Sequence, residues 1–318
     1  MGDADYTTEE GVLTAQDGHE LYTKTWKPTS PVKARMAFIH GFSDHSNFYG
    51  VLFPTIAKYG IEVYSFDQRG WGQSVKTPAQ KGLTGPTSLV IDDITTFTKT
   101  IPCAADDGIP LFVMGHSMGG AETLVWAATA PESATRRIRG FLAESPFVAL
   151  HPASKPFKLT VILGRLAGRL LPHVHMVQKL DPGKLARDPE IGKKFESDPL
   201  CHNTGTLEGL AGMLDRAGDL EGGKIVLNSD RCEGGKTRIL VAHGTGDEIC
   251  DFNAAKDWYN NCIKDGSDKE LKVYDGWYHK LHDEPGDDKY QFSEYCKDWI
   301  LKRSGSLAEV DGTDRAKL

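Results

Sequence analysis

No stretch of this chain approaches the eighteen or so consecutive apolar residues that a membrane-spanning helix needs, which excludes an integral helical membrane protein. Basic residues are not in excess: 37 Lys and Arg face 44 Asp and Glu, for a net charge of −7. That balance argues against a nucleic-acid partner, which favours a basic face. The six cysteines (103, 201, 232, 250, 262, 296) are scattered, with no C-x-x-C pair and no tight Cys/His spacing. Neither a disulfide framework nor a zinc site is expected; reduced thiols in an intracellular protein are. The opening "MGDADYTTEE" is acidic and polar, unlike a secretory leader, and Tyr6 breaks the Met-Gly myristoylation pattern. Internal repeats and low-complexity tracts are missing too.

What remains is an ordinary globular composition, 39% hydrophobic and 25% charged, over 318 residues. This is enough chain for one large domain with an insertion. "GVLTAQDGHELYTKTWKP" (11–28) alternates around Asp17-Gly18 and reads as a hairpin. Short continuous apolar runs follow at 35–42, 61–67, 110–115 and 138–146. Helical spacing falls between them at 48–58, 87–101 and 118–130. Such alternation predicts an α/β fold, with a mostly parallel central sheet covered by helices on both faces. The alternation stops at about 147 and resumes with "TRILVAHGTGDEI" (237–249), a helix at 252–264, a strand at 269–275 and a last helix near 287–302. The expected organisation is a core over 1–146 and 235–303, a cap inserted at 147–234, and a loose tail at 304–318.

"VMGHSMGGAETL" (113–124) places Ser117 between Gly115 and Gly119, after an apolar run and before helical spacing. A strand, tight turn and helix around G-x-S-x-G is the context of a nucleophile elbow. A serine hydroxyl needs a general base at neutral pH. In this fold the acid and then the histidine follow the serine along the chain. Asp247 in "HGTGDEIC" and His279 in "DGWYHKLH" each follow a predicted strand, where α/β active sites form. Asp251 and His282 are their rivals; His116 would point away from Ser117 and support the elbow. The backbone N–H groups of Met118 and of Phe42, in "HGF", are the candidate oxyanion donors. A serine hydrolase without metal or organic cofactor is expected.

"HGFSDHS", "FDQRGWGQS", "GHSMGG", "DPL" (198–200), "HGTGDEICDFNAA" and "YHKLHDEP" together resemble the monoacylglycerol lipases, in the serine-aminopeptidase-like branch of the α/β hydrolases. The resemblance runs over about residues 10–303. It implies the α/β-hydrolase fold, hydrolysis of monoacylglycerol to glycerol and fatty acid, and triad roles for Ser117, Asp247 and His279. It also implies that Asp44 and His282 lie near the substrate headgroup and Cys250 near the active site. Ser43 replaces the usual glycine, and Phe48 stands where vertebrate members carry an arginine; these departures suggest a fungal-type member.

The stretch 157–176 mixes Leu163, Leu166 and other apolar residues with Lys155, Lys158, Arg165 and Arg169, an amphipathic pattern suited to roofing a hydrophobic channel and lying on lipid. Leu163 and Leu166 are therefore expected to touch substrate. Peripheral contact with a membrane or lipid droplet from the cytoplasm is expected as well. The terminal Ala316-Lys317-Leu318 resembles a peroxisomal address. A carboxylesterase for other small acyl esters, an aminopeptidase using a cap acid such as Glu190, Glu196 or Glu208, and a non-catalytic binding member are the alternatives.

Overall fold

A computed structural model describes residues 5–154 and 168–315. Ten strands are numbered in chain order: β1 Tyr6–Thr14, β2 Glu20–Pro28, β3 Ala34–Ile39, β4 Ile61–Phe66, β5 Leu111–His116, β6 Ile138–Glu144, β7 His175–Val177, β8 Thr204–Thr206, β9 Arg238–Gly244 and β10 Asp268–Tyr274. Eight of them form one sheet in the order β1-β2-β4-β3-β5-β6-β9-β10. The hairpin β1–β2 and its junction with β4 are antiparallel; every other neighbouring pair is parallel. The central strands β3, β5, β6 and β9 are buried along their whole length. That is why they read as unbroken apolar runs: helices cover both faces, so neither side of the pleat needs polar residues.

Among the described residues the helices with both ends placed include α1 Leu52–Ala57, α2 Thr87–Thr100, α3 Ala104–Asp107, α4 Met118–Thr129, α5 Glu132–Thr135, α6 Pro189–Ser197, α7 Leu207–Glu221, α8 Phe252–Cys262, α9 Asp288–Lys302 and α10 Leu307–Arg315. Helix α4 is buried from Met118 to Ala127, which accounts for its almost wholly apolar sequence.

One expectation fails at the C-terminus. Residues 304–318 read as a loose tail, yet Leu307–Arg315 is a helix. Asp311 holds it, receiving both bonds from the Arg238 Nη2 at 2.8 and 3.0 Å. Arg238 opens a core strand and is fully buried, so its guanidinium needs a carboxylate from elsewhere in the chain. That need is invisible in the polar tail sequence itself. Ala316-Lys317-Leu318 lie outside the described residues, as do Leu163, Leu166 and most of the amphipathic stretch.

Between β6 and β9 lies the inserted segment, with the two-stranded ribbon β7–β8 and helices α6 and α7. Its later part is fastened to the core. Asp198 accepts from His45 Nε2 at 3.0 Å, the Asn203 N–H donates to Ser43 Oγ at 2.7 Å, and both the N–H and the hydroxyl of Thr206 donate to Gly82 O at 3.1 Å. Arg216 on α7 reaches Glu122 on α4 at 2.8 Å, a buried ion pair between the inserted segment and the helix that follows Ser117. By contrast, Leu170, Leu171, Val174, Met176 and Val177 are all exposed, a run of apolar residues open to solvent.

Candidate active site

Strand β5 delivers the chain to Ser117, which adopts φ 56° and ψ −117°, a backbone conformation uncommon for a residue with a side chain. The glycines on either side are required by space. A Cβ on Gly119 would press on the carbonyls of Ile39 and His40, and one on Gly115 would press on Gly119 O. The turn therefore packs backbone against backbone, and the strain at Ser117 is held by the sheet on one side and α4 on the other. Phe147 N–H and Ala121 N–H both bond Ser117 O, at 2.9 and 3.0 Å.

Two loops at the carboxyl ends of β9 and β10 bring Asp247 and His279 to this serine. His279 Nε2 lies 2.8 Å from Ser117 Oγ, and His279 Nδ1 lies 2.8 Å from Asp247 Oδ2. Asp247 is buried, which works against its charge, but the attraction of His279 and bonds from His243 and His279 hold its carboxyl well below the usual range. It is thus an acceptor only, so Nδ1–H donates to it and Nε2 is left to accept from the serine. Its other oxygen, Oδ1, accepts from Ile249 and Cys250 N–H at 2.8 and 2.9 Å.

The rivals fall elsewhere. Asp251 caps α8 by accepting from Asn253 N–H. His282 Nδ1 donates to Glu144 Oε1 at 2.6 Å, behind the site. His116 is buried, and its imidazole is pushed well below its ordinary value chiefly by burial and then by the neighbouring His279, His282 and Lys280.

Ser117, Phe42 and Met118 line a cavity of about 390 Å³ whose walls include Phe147, Leu150, Leu210, Met213, Ile249 and Cys250. Met118 opens α4, where backbone N–H groups have no partner within the helix. Its side chain packs with Phe42 and Trp71 as a small apolar cluster. A mostly apolar chamber over a Ser–His–Asp chain can accept an acyl chain and present its carbonyl to the serine. The Cys250 thiol lines this chamber, and burial raises it well above its ordinary value, so it behaves as an apolar wall rather than a thiolate.

Two expectations are corrected. Neither Asp44 nor His282 lines the cavity. Asp44 is buried against Lys280 Nζ at 2.7 Å, and His282 is buried against Glu144. A carboxylate so deeply buried needs a cationic partner, and Lys280 supplies it from the residue after His279. Glu190, Glu196 and Glu208 do not line the cavity either; the acids that do are Asp181 and Glu248. The residues that sequence reasoning missed are His243, Tyr49, Glu144 and Lys280. Only His243 carried a local signal, standing four residues before Asp247, to which its Nε2–H donates at 3.0 Å.

Among the described residues, His45, Asp198 and Cys201 lie close enough together to share a metal ion. His45 Nδ1 accepts from Asn47 N–H, so its Nε2 carries the proton and donates to Asp198. A hydrogen bond within the protein thus already joins two of the three, His45 and Asp198.

The model of the family "Serine aminopeptidase, S33" matches residues 30–286. A Schizosaccharomyces pombe protein assigned as a monoglyceride lipase is 32% identical over 90% of this chain and 72% of its own length. The chain belongs to this α/β-hydrolase family, on its monoglyceride lipase branch. Human monoglyceride lipase is 27% identical over 92% of this chain and 91% of its own. The structure also resembles that of a soluble variant of Saccharomyces cerevisiae monoglyceride lipase in complex with a substrate analogue. There the TM-score is 0.82 at 25% identity, covering 94% of this chain and 96% of that one.

Proposed function

We propose that this family member hydrolyses monoacylglycerols to glycerol and free fatty acid through an acyl-enzyme on Ser117. The observation that carries the reading is the chain of two 2.8 Å contacts, Ser117–His279–Asp247, opening directly onto the apolar chamber. His279 takes the Ser117 proton as Oγ attacks the ester carbon, and the carbonyl oxygen turns its charge toward Phe42 and Met118 N–H. The same proton passes to the departing glycerol oxygen. His279 then removes a proton from water, the hydroxide attacks the acyl carbon, and the Ser117 oxygen leaves with that proton.

Fatty-acid release from a long-chain monoacylglycerol, beside a triacylglycerol, a short ester and an aminopeptide, tests the reading, with Ser117→Ala as the blank. Release chiefly from short esters would favour the carboxylesterase alternative.

The protein works at a lipid surface in this reading, from the cytoplasmic side of a droplet or membrane. Among the described residues no helix is long and apolar enough to cross a bilayer. Exposed apolar residues at 170–177 support a peripheral mode instead, since such a patch on a solvent-facing surface favours partition into an interface. Leu170→Glu with Val177→Glu is expected to reduce vesicle binding; undiminished binding would remove this patch as the contact.

A further inference from the structure

Asp44 and Lys280 stand out as a fully buried ion pair beside the site that touches none of the cavity. Both side chains are 2% exposed, with Nζ 2.7 Å from Oδ2. The ammonium sits 4.0 Å from the centre of the Phe48 ring and 5.3 Å from that of Tyr49, so its other walls are aromatic faces. Burial opposes the charge on Asp44 most strongly, but the attraction and hydrogen bond of Lys280, with His45 and His40, together outweigh it and the carboxyl stays below its usual range. A buried pair of this kind adds little stability over an apolar pair of similar volume. What it does provide is a fixed distance between the two elements that carry it.

Those elements are the two loops that matter most. Asp44 comes two residues after Phe42, a candidate oxyanion donor; Lys280 immediately follows His279, the candidate base. The loop carrying Phe42 also holds backbone strain, for Ser43 has φ 57° although it is not glycine. Its shape depends on outside contacts. Gly41 N–H and His116 Nδ1–H both donate to the Tyr49 hydroxyl at 3.2 Å, and that hydroxyl donates to Asp44 Oδ2 at 3.0 Å. His45 N–H donates to the other oxygen of Asp44 at 3.0 Å.

We propose that Asp44 and Lys280 are positioning residues, a brace that sets the spacing between the Phe42 N–H and His279 around Ser117. The inference rests on Ser117 being the nucleophile. With the brace gone, the strained loop relaxes and the developing oxyanion loses alignment with its donor, while the chamber walls outside that loop, among them Phe147, Leu210, Met213 and Ile249, stay in place.

The test uses Asp44→Asn, Lys280→Met and the double variant Asp44→Leu with Lys280→Met, all in the full chain. The single variants leave a buried charge without its partner and are expected to lose thermal stability. The apolar double variant is expected to regain most of that stability yet keep kcat about tenfold to a hundredfold below the starting protein, with KM little changed. Affinity for a trifluoromethyl ketone analogue, which forms the oxyanion on Ser117, should fall by the same factor. Affinity for an uncleavable alkylglycerol ether should not. A double variant with full kcat and full ketone affinity would overturn the brace, as would kcat that simply follows stability across the set. If the starting protein is neither labelled on Ser117 by a fluorophosphonate nor active on any ester, the Ser117 reading fails and the brace with it. Where the starting protein is labelled and active, a failure in the double variant counts against the brace alone.

Discussion

Adding one methyl group at Gly119 probes the elbow more sharply than removing any side chain. The new Cβ of Gly119→Ala would lie 2.5 Å from His40 O and nearer still to Ile39 O, both backbone atoms of the segment leading to Phe42. An unstrained carbon–oxygen approach needs about 3.3 Å, so α4 and the end of β3 must part by roughly 1 Å. That separation moves Ser117 and Met118 away from Phe42, splitting the two oxyanion donors. A misplacement of about 1 Å at a reacting centre can cost on the order of a hundredfold in rate, or about 2.7 kcal/mol of activation free energy. Overpacking should also lower stability by about 1–3 kcal/mol. Fatty-acid release and thermal melting of the purified variant read the two effects separately. KM should change less than kcat, because most of the chamber wall, including Phe147, Leu150, Leu210 and Ile249, lies outside the displaced contact. Unchanged kcat in a folded Gly119→Ala protein would refute the claim that this backbone contact fixes the oxyanion geometry.

Asp247→Asn should reduce kcat by about 10⁴, the scale seen when a triad acid becomes an amide. All four partners of this carboxylate are N–H donors, so the amide must turn its NH₂ toward some of them and His279 loses its tautomer. A fall of less than tenfold would count against Asp247 as the orienting acid. His202 stacks on Trp71 and donates to Gly70 O, and burial lowers its imidazole to about 4 from the ordinary 6.5, against a smaller opposing effect of that bond. The folded protein therefore resists a proton that the unfolded chain accepts. This contribution to stability is present above 6.5 and is lost as pH falls from there toward 4. Melting temperature should show that decline, and His202→Gln should flatten it; an identical slope in both would dismiss the assignment. Gly212→Ala on α7 meets nothing nearer than Thr87 Oγ1 at 3.4 Å, so relief of glycine's entropy should add about 0.5–1 kcal/mol. Denaturant unfolding measures that gain, and a loss would mean that the helix has no room there.

The alternation of apolar strands and helices, the two glycines around Ser117, and the order serine, acid, histidine are local or periodic features, and the residues alone determined them. Each depends on chemistry within a few positions of itself: a strand buried on both faces must be apolar, and an elbow must lack Cβ atoms. The choice of His279 over His282 was of another kind, since both follow the same strand and only the fold says which ring meets Ser117 and which meets Glu144. The same holds for Asp44. Its sequence neighbourhood suggested a headgroup contact, but a buried carboxylate is governed by whatever cation the fold brings to it, and Lys280 arrives from 236 positions away. The tail helix follows the same rule, because Asp311 has no reason to be ordered until the buried Arg238 guanidinium faces it. Partners for buried charges are set by proximity in space, and no period or spacing along the chain encodes them; that part of this protein was decided only by its tertiary structure.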